Sequence, residues 1–264
     1  MNLIIMKFKK IILITVIFII TSYGIFKLSE TLYKKYDIVK VTIPEGYTYE
    51  EIGQTLQKSG LVTENDFTNQ VENWTDNNYW FLKGLPNDKH ELDGFLYPAT
   101  YSFQRDASSK TIINKMLKTF EINMKPNETY ITKNELNIRN IITTSSLIEK
   151  EAKKDVDRSK IASVIYNRLN NKMPLQIDAT ILYIVGHKDK LYNKDLTVKS
   201  PYNTYLNKGL PPSPICNPGT KSIDAALHPA ITDYLFYVLN SKTNEHVFSK
   251  TYSEHIKNVS IYIK

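Results

Sequence analysis

The chain has 264 residues, of which 34 are Lys or Arg and 27 are Asp or Glu, a formal charge of +7. That length holds one large domain, or a moderate domain with a small companion, and the charge favours an anionic partner such as membrane phospholipid or a cell-wall polymer. Nucleic acid is set aside because Lys and Arg form no dense arm in the soluble part and the aromatics follow no basic stripe. A single cysteine, Cys216, excludes an intrachain disulfide and a thiolate zinc cage. The five histidines (His90, His187, His228, His246, His255) show no ligand spacing, so neither metal nor cofactor is expected.

At the amino end, Lys7, Lys9 and Lys10 precede an uncharged, mostly apolar run from Ile11 to Phe26. Its length falls somewhat short of a hydrocarbon core of roughly 30 Å, a gap that snorkelling Lys10 and Lys27 can close. The reading is a cytoplasmic tail at 1–10, a transmembrane anchor at 11–26 and an exported body. A cleaved signal peptide is the rival, since Ser22 and Gly24 are small.

Residues 27–40 read as a charged stalk. In "KVTIPEGYTYEEIGQTLQKSGLV", Val41 and Ile43 alternate as a strand, and Thr48 with Glu51 forms a capping box. Ile52 and Leu56 carry the buried face until Ser59-Gly60 stops the helix, and Thr63 with Asp66 opens a second short one. A strand followed by two short helices resembles part of a LysM-type wall-binding module, giving a LysM-like unit over 41–88. The alternative is a brace for the next domain.

"ELDGFLYPATYSF" (91–103) reads as a strand that Pro98 makes irregular, and 108–122 as a helix on Ile112, Ile113, Met116, Leu117 and Phe120. "KPNETYIT" is expected to be loop. Thr132 and Glu135 then predict a capping box opening a helix that runs to about Lys154, with a stripe of Ile138, Ile141, Ile142, Ser145, Ile148 and Ala152. At about 100° per residue Glu149 falls near the centre of that stripe, while Glu151 lies about 200° round from it. A charge on an apolar face needs a partner or a raised pKa. Arg168, close to the buried face of the next helix (159–170), is the expected partner of Glu149. The functional alternative is a general acid kept protonated by desolvation, and pattern alone assigns it to neither glutamate.

Further on, the chain is rich in loops before a short helix at 222–228 and the strand-like "YLFYVLN". Ser145 and Ser146 lack a nucleophile elbow, and no motif supports Cys216 with His228 as a nucleophile pair. "PLQIDATILY" and "SPYNTYLNKGLPPSPICNPG" crowd Gln, Asp, Asn, Thr and Tyr into loops, residue types suited to sugar hydroxyls and N-acetyl groups.

"LIEKEA", "ASVIYNRLNNKMPLQIDATILY", "SPYNTYLNKGLPPSPICNPG" and "SIDAALHPA" resemble, in order and spacing, the signature blocks of the MltG (YceG-like) endolytic murein transglycosylases. The resemblance runs over roughly 40–264, includes "IPEG" and "DGFLYPATYSF", and extends to the single amino-terminal anchor. It implies an α+β fold: one amino-terminal transmembrane helix, the LysM-like unit, and a mixed helix/sheet catalytic domain at 89–264. It implies cleavage of the N-acetylmuramic acid to N-acetylglucosamine β-1,4 bond, with Glu151 as the catalytic acid. Glu149, Asn167, Arg168, Gln176, Asp178, Tyr202, Asn203, Thr204 and Tyr205 are the supporting or substrate-binding candidates.

Two departures stand out: Ala152 follows Glu151 where some relatives carry a hydroxyl, and Ala179 stands in "DAT" where Asp-Pro-Thr is more usual. The implied partners are peptidoglycan strands, the bacterial cytoplasmic membrane and peptidoglycan synthases. Competing readings are a hydrolysing muramidase, with Asp178 positioning water, and a wall-binding scaffold without catalysis.

Overall fold

The computed structural model describes residues 2–76, 78–86 and 88–263; Met1 of the expected tail and Lys264 lie outside them. Helix α1 (Asn2–Tyr36) takes in the tail, the apolar run and most of the stretch read as a stalk. The window Ile12–Ser29 has a mean hydropathy of 2.0 and none of it is buried in the protein. Eighteen residues of helix span about 27 Å, closer to a hydrocarbon thickness than the shorter run read from the sequence.

Strand β1 (Ile38–Thr42) pairs antiparallel with β2 (Thr100–Gln104), setting Val41 against Tyr101 and Val39 against Phe103. Between them lie α2 (Tyr49–Lys58) and α3 (Glu64–Glu72). Thr48 and Glu51 form the expected capping box, Gly60 takes a left-handed φ of +72° past the end of α2, and the Thr63 hydroxyl caps α3 through the Asp66 N–H. Ile52 and Leu56 of α2 pack with Phe67 and Val71 of α3, all fully buried. The second strand of that sheet lies beyond residue 88, so β1, α2, α3 and β2 together make up an amino-terminal unit.

The strand expected at 91–103 is confined to β2. Residues 91–97 instead turn tightly around Gly94, whose φ is +83°, and a Cβ there would lie 2.5 Å from Ile142 Cγ2. That turn carries Phe95 to an aromatic cluster with Phe81 and Phe120.

Helix α4 (Ser109–Lys133) runs straight through the segment expected to be loop, with Pro126 inside it. An interior proline costs about 3 kcal/mol locally. The stripe Ile113, Met116, Leu117, Phe120 and Met124 reappears at Ile131, so burial on both sides of the proline offsets that cost. Thr132 caps nothing: its hydroxyl donates to the Glu128 carbonyl inside α4, and Glu135 takes φ +52°. The next helix, α5 (Ile138–Glu151), is capped by Asn137, whose side chain accepts the Asn140 N–H at 3.1 Å.

Every residue of α5 from Ile141 to Ile148 is buried. The helix is the central strut, in contact with α6 (Asp155–Asn170), α7 (Asp178–Val185) and α8 (Thr220–Leu227). A hairpin of β3 (Phe236–Asn240) and β4 (Glu245–Ser249) packs on α6, followed by α9 (Tyr252–Tyr262).

Candidate active site

Glu149 and Glu151 stand at the carboxyl end of α5 and point to different places, as a separation of about 200° requires. The Glu149 side chain is 8% exposed. Its Oε1 accepts from Arg158 Nη1 at 3.3 Å and its Oε2 from the Gly219 N–H, just ahead of α8, at 3.0 Å. Glu45 crowds the same glycine, and burial together with the Glu149 charge raises its pKa.

The partner of Glu149 is therefore Arg158, not the expected Arg168. Arg158 sits in the first turn of α6, brought beside the end of α5 by a short connection, whereas Arg168 lies ten residues, about 15 Å, further along the helix.

Arg168, also buried, makes no ion pair among the described residues. It donates to the carbonyls of Leu235 (2.7 Å), Leu175 (2.8 Å) and Pro174 (3.1 Å) and to Gln176 Oε1, and its guanidinium lies 5.0 Å from the Phe236 ring centre. It thereby ties the start of β3, the strand that carries Tyr237, to the 174–176 loop that leads into α7.

Glu151 is the last residue of α5, half-buried. Its Oε2 accepts a 3.1 Å hydrogen bond from the Tyr237 hydroxyl on β3, and the Ala179 N–H in the first turn of α7 also donates to the carboxyl. Burial, aided by the nearby Asp178 charge, pushes its pKa up to about 7 against the opposing effects of Tyr237, Ala179 and Lys153. Asp178 accepts from the Tyr205 hydroxyl, and that phenol is raised by burial and by the two carboxylates beside it. Gln176 is exposed at φ +53° on the same rim, its N–H bonded to the Thr204 carbonyl.

Glu151, Asp178, Tyr205, Gln176 and Arg168 thus gather in one place. The other candidates build the scaffold. Thr204 Oγ1 accepts the Ile177 N–H and meets Thr180 Oγ1, while Asn203, fully buried, bonds the carbonyls of Leu196 and Val198 and the N–H of Tyr205. Asn167 holds the carbonyls of Thr232 and Tyr234 ahead of β3. Tyr202 belongs to a separate chain running through Ser213 to Asp93 and His90.

Cys216 is buried against the Ser146 carbonyl with its thiol pKa pushed up by burial, and His228 packs on Tyr130. They form no nucleophile pair.

Tyr237 is the residue that sequence reasoning missed. Nothing in "YLFYVLN" says which side chain faces Glu151, 86 residues earlier. Its ring rests edge-on against His246 at 5.3 Å, and His246 is pinned by a buried 3.1 Å contact to Asp157 of α6.

This arrangement sits within a chain that the YceG-like family profile matches from residue 19 to 261. The chain belongs to the YceG-like family. It is 49% identical over 179 residues to the endolytic murein transglycosylase of Bacillus subtilis, covering 67% of this chain and 49% of that protein. The endolytic murein transglycosylase of Streptococcus pneumoniae is 32% identical over 247 residues, 86% of this chain and 45% of that protein. The chain spans about half the length of the curated relatives it matches. A crystal structure of a YceG-like protein from Listeria monocytogenes matches with a TM-score of 0.75 at 41% identity, covering 83% of this chain and 76% of that one. The mixed helix and sheet architecture is thus that of the YceG-like family.

Proposed function

We propose that the chain is an endolytic lytic transglycosylase, cutting the β-1,4 bond between N-acetylmuramic acid and N-acetylglucosamine inside peptidoglycan strands, with Glu151 as its acid and base. The names of its relatives support the reaction class. The observation that carries the residue assignment is the Glu151 carboxyl, half-buried, held by Tyr237 and the Ala179 N–H, with a pKa of about 7.

At neutral pH such a group is protonated in about half the molecules, the compromise that general acid catalysis favours. Glu151 donates its proton to the glycosidic oxygen as the bond to the muramyl anomeric carbon breaks, and the N-acetyl group stabilises the cationic centre. The resulting carboxylate then takes the proton of the muramyl C6 hydroxyl as that oxygen bonds to the anomeric carbon. The ring closes as a 1,6-anhydro product, no water is consumed, and Glu151 is protonated again. Tyr237 and the Ala179 N–H stabilise the carboxylate between the two transfers. Asp178 keeps the acid form populated.

The pH dependence of kcat/KM tests the assignment. Activity should fall above about pH 7 as Glu151 loses its proton. Asp178→Asn removes the charge that raises the pKa and should move this limb to lower pH. Tyr237→Phe removes a donor to the carboxylate and should move it higher. Limbs that stay put in both variants mean that Glu151 is not the titrating acid.

The unit formed by β1, α2, α3 and β2 is a LysM-like wall-binding module in this reading, two short helices between paired strands, and the remainder to 264 is the catalytic domain. Helix α1 anchors the chain in the bacterial cytoplasmic membrane, with Lys7, Lys9 and Lys10 inside and the body outside, where synthases of the nascent strand are the natural partners. Protein extracted from membranes should keep its apolar helix. An amino terminus mapped between Ser22 and Lys27 would instead mark a cleaved signal peptide.

A further inference from the structure

A cleft of about 510 Å³ opens between the amino-terminal unit and α7, beside the Glu151 site. Glu50 of α2, Lys89 and His90 of the loop before Gly94, Lys150 of α5 and Tyr183 of α7 line it. It adjoins the acid on two counts: Lys150 is the neighbour of Glu151 on α5, and Ala179, whose N–H bonds the Glu151 carboxyl, is part of the lining.

The charges in this cleft are left open. Lys89, Lys150 and Glu50 are exposed and enter no ion pair or side-chain hydrogen bond among the described residues. Some surface lysines do pair at close range, as Lys154 does with Glu245 and Lys250 with Asp233, but what sets Lys89 and Lys150 apart is that they share one cleft with Glu50. His90, in contrast, is fixed by a 2.8 Å bond from Nδ1 to Asp93, which is itself held by Ser213. A strand without stems offers hydroxyls, N-acetyl groups and a single lactyl carboxylate on each muramyl residue, and would leave one ammonium group and the Glu50 carboxylate without partners. A short peptide carrying carboxylates and an amine would answer them, with Leu182 and Tyr183 as an apolar floor for its small side chains.

We propose that this cleft takes the peptide stem of the muramic acid residue, its carboxylates meeting Lys89 and Lys150 and its amine meeting Glu50. The proposal rests on the peptidoglycan reading. Connectivity agrees with it, since the stem leaves the muramyl ring at C3 and the bond to be cut is at C1. A ring bound with C1 at Glu151 therefore delivers its stem within one sugar's width of that acid.

The test compares cleavage by the full chain, in detergent, of strands carrying stems and of the same strands stripped of stems. The wild-type protein should show a kcat/KM about tenfold higher on stem-bearing strands, and Lys89→Ala with Lys150→Ala should bring the ratio toward one without changing Tm. In parallel, N-acetylmuramyl pentapeptide is titrated into the Glu151→Gln protein. Saturable binding is expected, weakened about tenfold by the two lysine substitutions and about tenfold weaker again for N-acetylmuramic acid without a peptide. Equal losses on both kinds of strand would make the cleft a glycan subsite and overturn the proposal. So would a ratio and a peptide affinity that ignore the lysines. If the wild-type protein cleaves neither substrate, the transglycosylase reading fails, and the titration still decides whether the cleft binds the stem.

Discussion

Glu151→Gln should lower strand cleavage by about 10²–10⁴-fold while leaving the fold intact, because the amide keeps the size and reach of the carboxyl but cannot exchange a proton. The same variant should be the more stable protein above neutral pH. Burial raises the Glu151 pKa from 4.5 to about 7, so between those values the native state holds a proton that the unfolded chain has released. Stability contributed by this group is therefore present at low pH and lost as pH rises through about 7. Glutamine removes that dependence. Allowing for solvent screening at a half-buried group, the gain at pH 8 is about 1 kcal/mol, or roughly 2–4 °C in Tm. A variant that is inactive and also melts lower at pH 8 would point to a structural carboxylate instead of a catalytic one.

Arg158→Ala should be the most destabilising single change at the end of α5. Among the described residues it leaves Glu149, at 8% exposure, with the Gly219 N–H alone, and it removes a partner from Ser222 and one of the two cations from Asp155, which keeps Lys221. Breaking a buried pair by removing one partner costs about 3–5 kcal/mol, which corresponds to a fall of roughly 10 °C or more in Tm. A double-mutant cycle then discriminates the two arginines. Glu149→Gln combined with Arg158→Ala should recover part of the loss, whereas Glu149→Gln combined with Arg168→Ala should be additive, because Arg168 bonds carbonyls and never meets Glu149. Additive losses for Glu149 with Arg158 would show that the pair does not form.

What the sequence disclosed, and what it withheld, follows from how far apart the interacting groups are. Thr48 with Glu51 and Thr63 with Asp66 were legible because a cap acts within one turn. The inward aim of Glu149 was legible because helical periodicity is local. Its partner was not: Arg158 and Arg168 both lie on α6, and only the packed angle and end-to-end placement of α5 and α6 decide between them. The loop expected at "KPNETYIT" gives way to helix for a related reason, since the cost of Pro126 is local whereas the burial of Met124 and Ile131 that offsets it is tertiary. β2 was placed too early because the turn at Gly94 answers to Ile142 and Pro214, far away in the chain. Tyr237 and the Ala179 N–H reach Glu151 across long separations, and a backbone donor has no sequence signature at all.

The fate of the muramyl anomeric carbon is the most direct test of the account. Purified peptidoglycan incubated with the full chain and analysed by mass spectrometry should yield internal fragments ending in 1,6-anhydro-N-acetylmuramic acid, one water lighter than hydrolysed ends. Fragments carrying reducing N-acetylmuramic acid ends would contradict it and make the protein a muramidase, with water taking the place of the C6 hydroxyl.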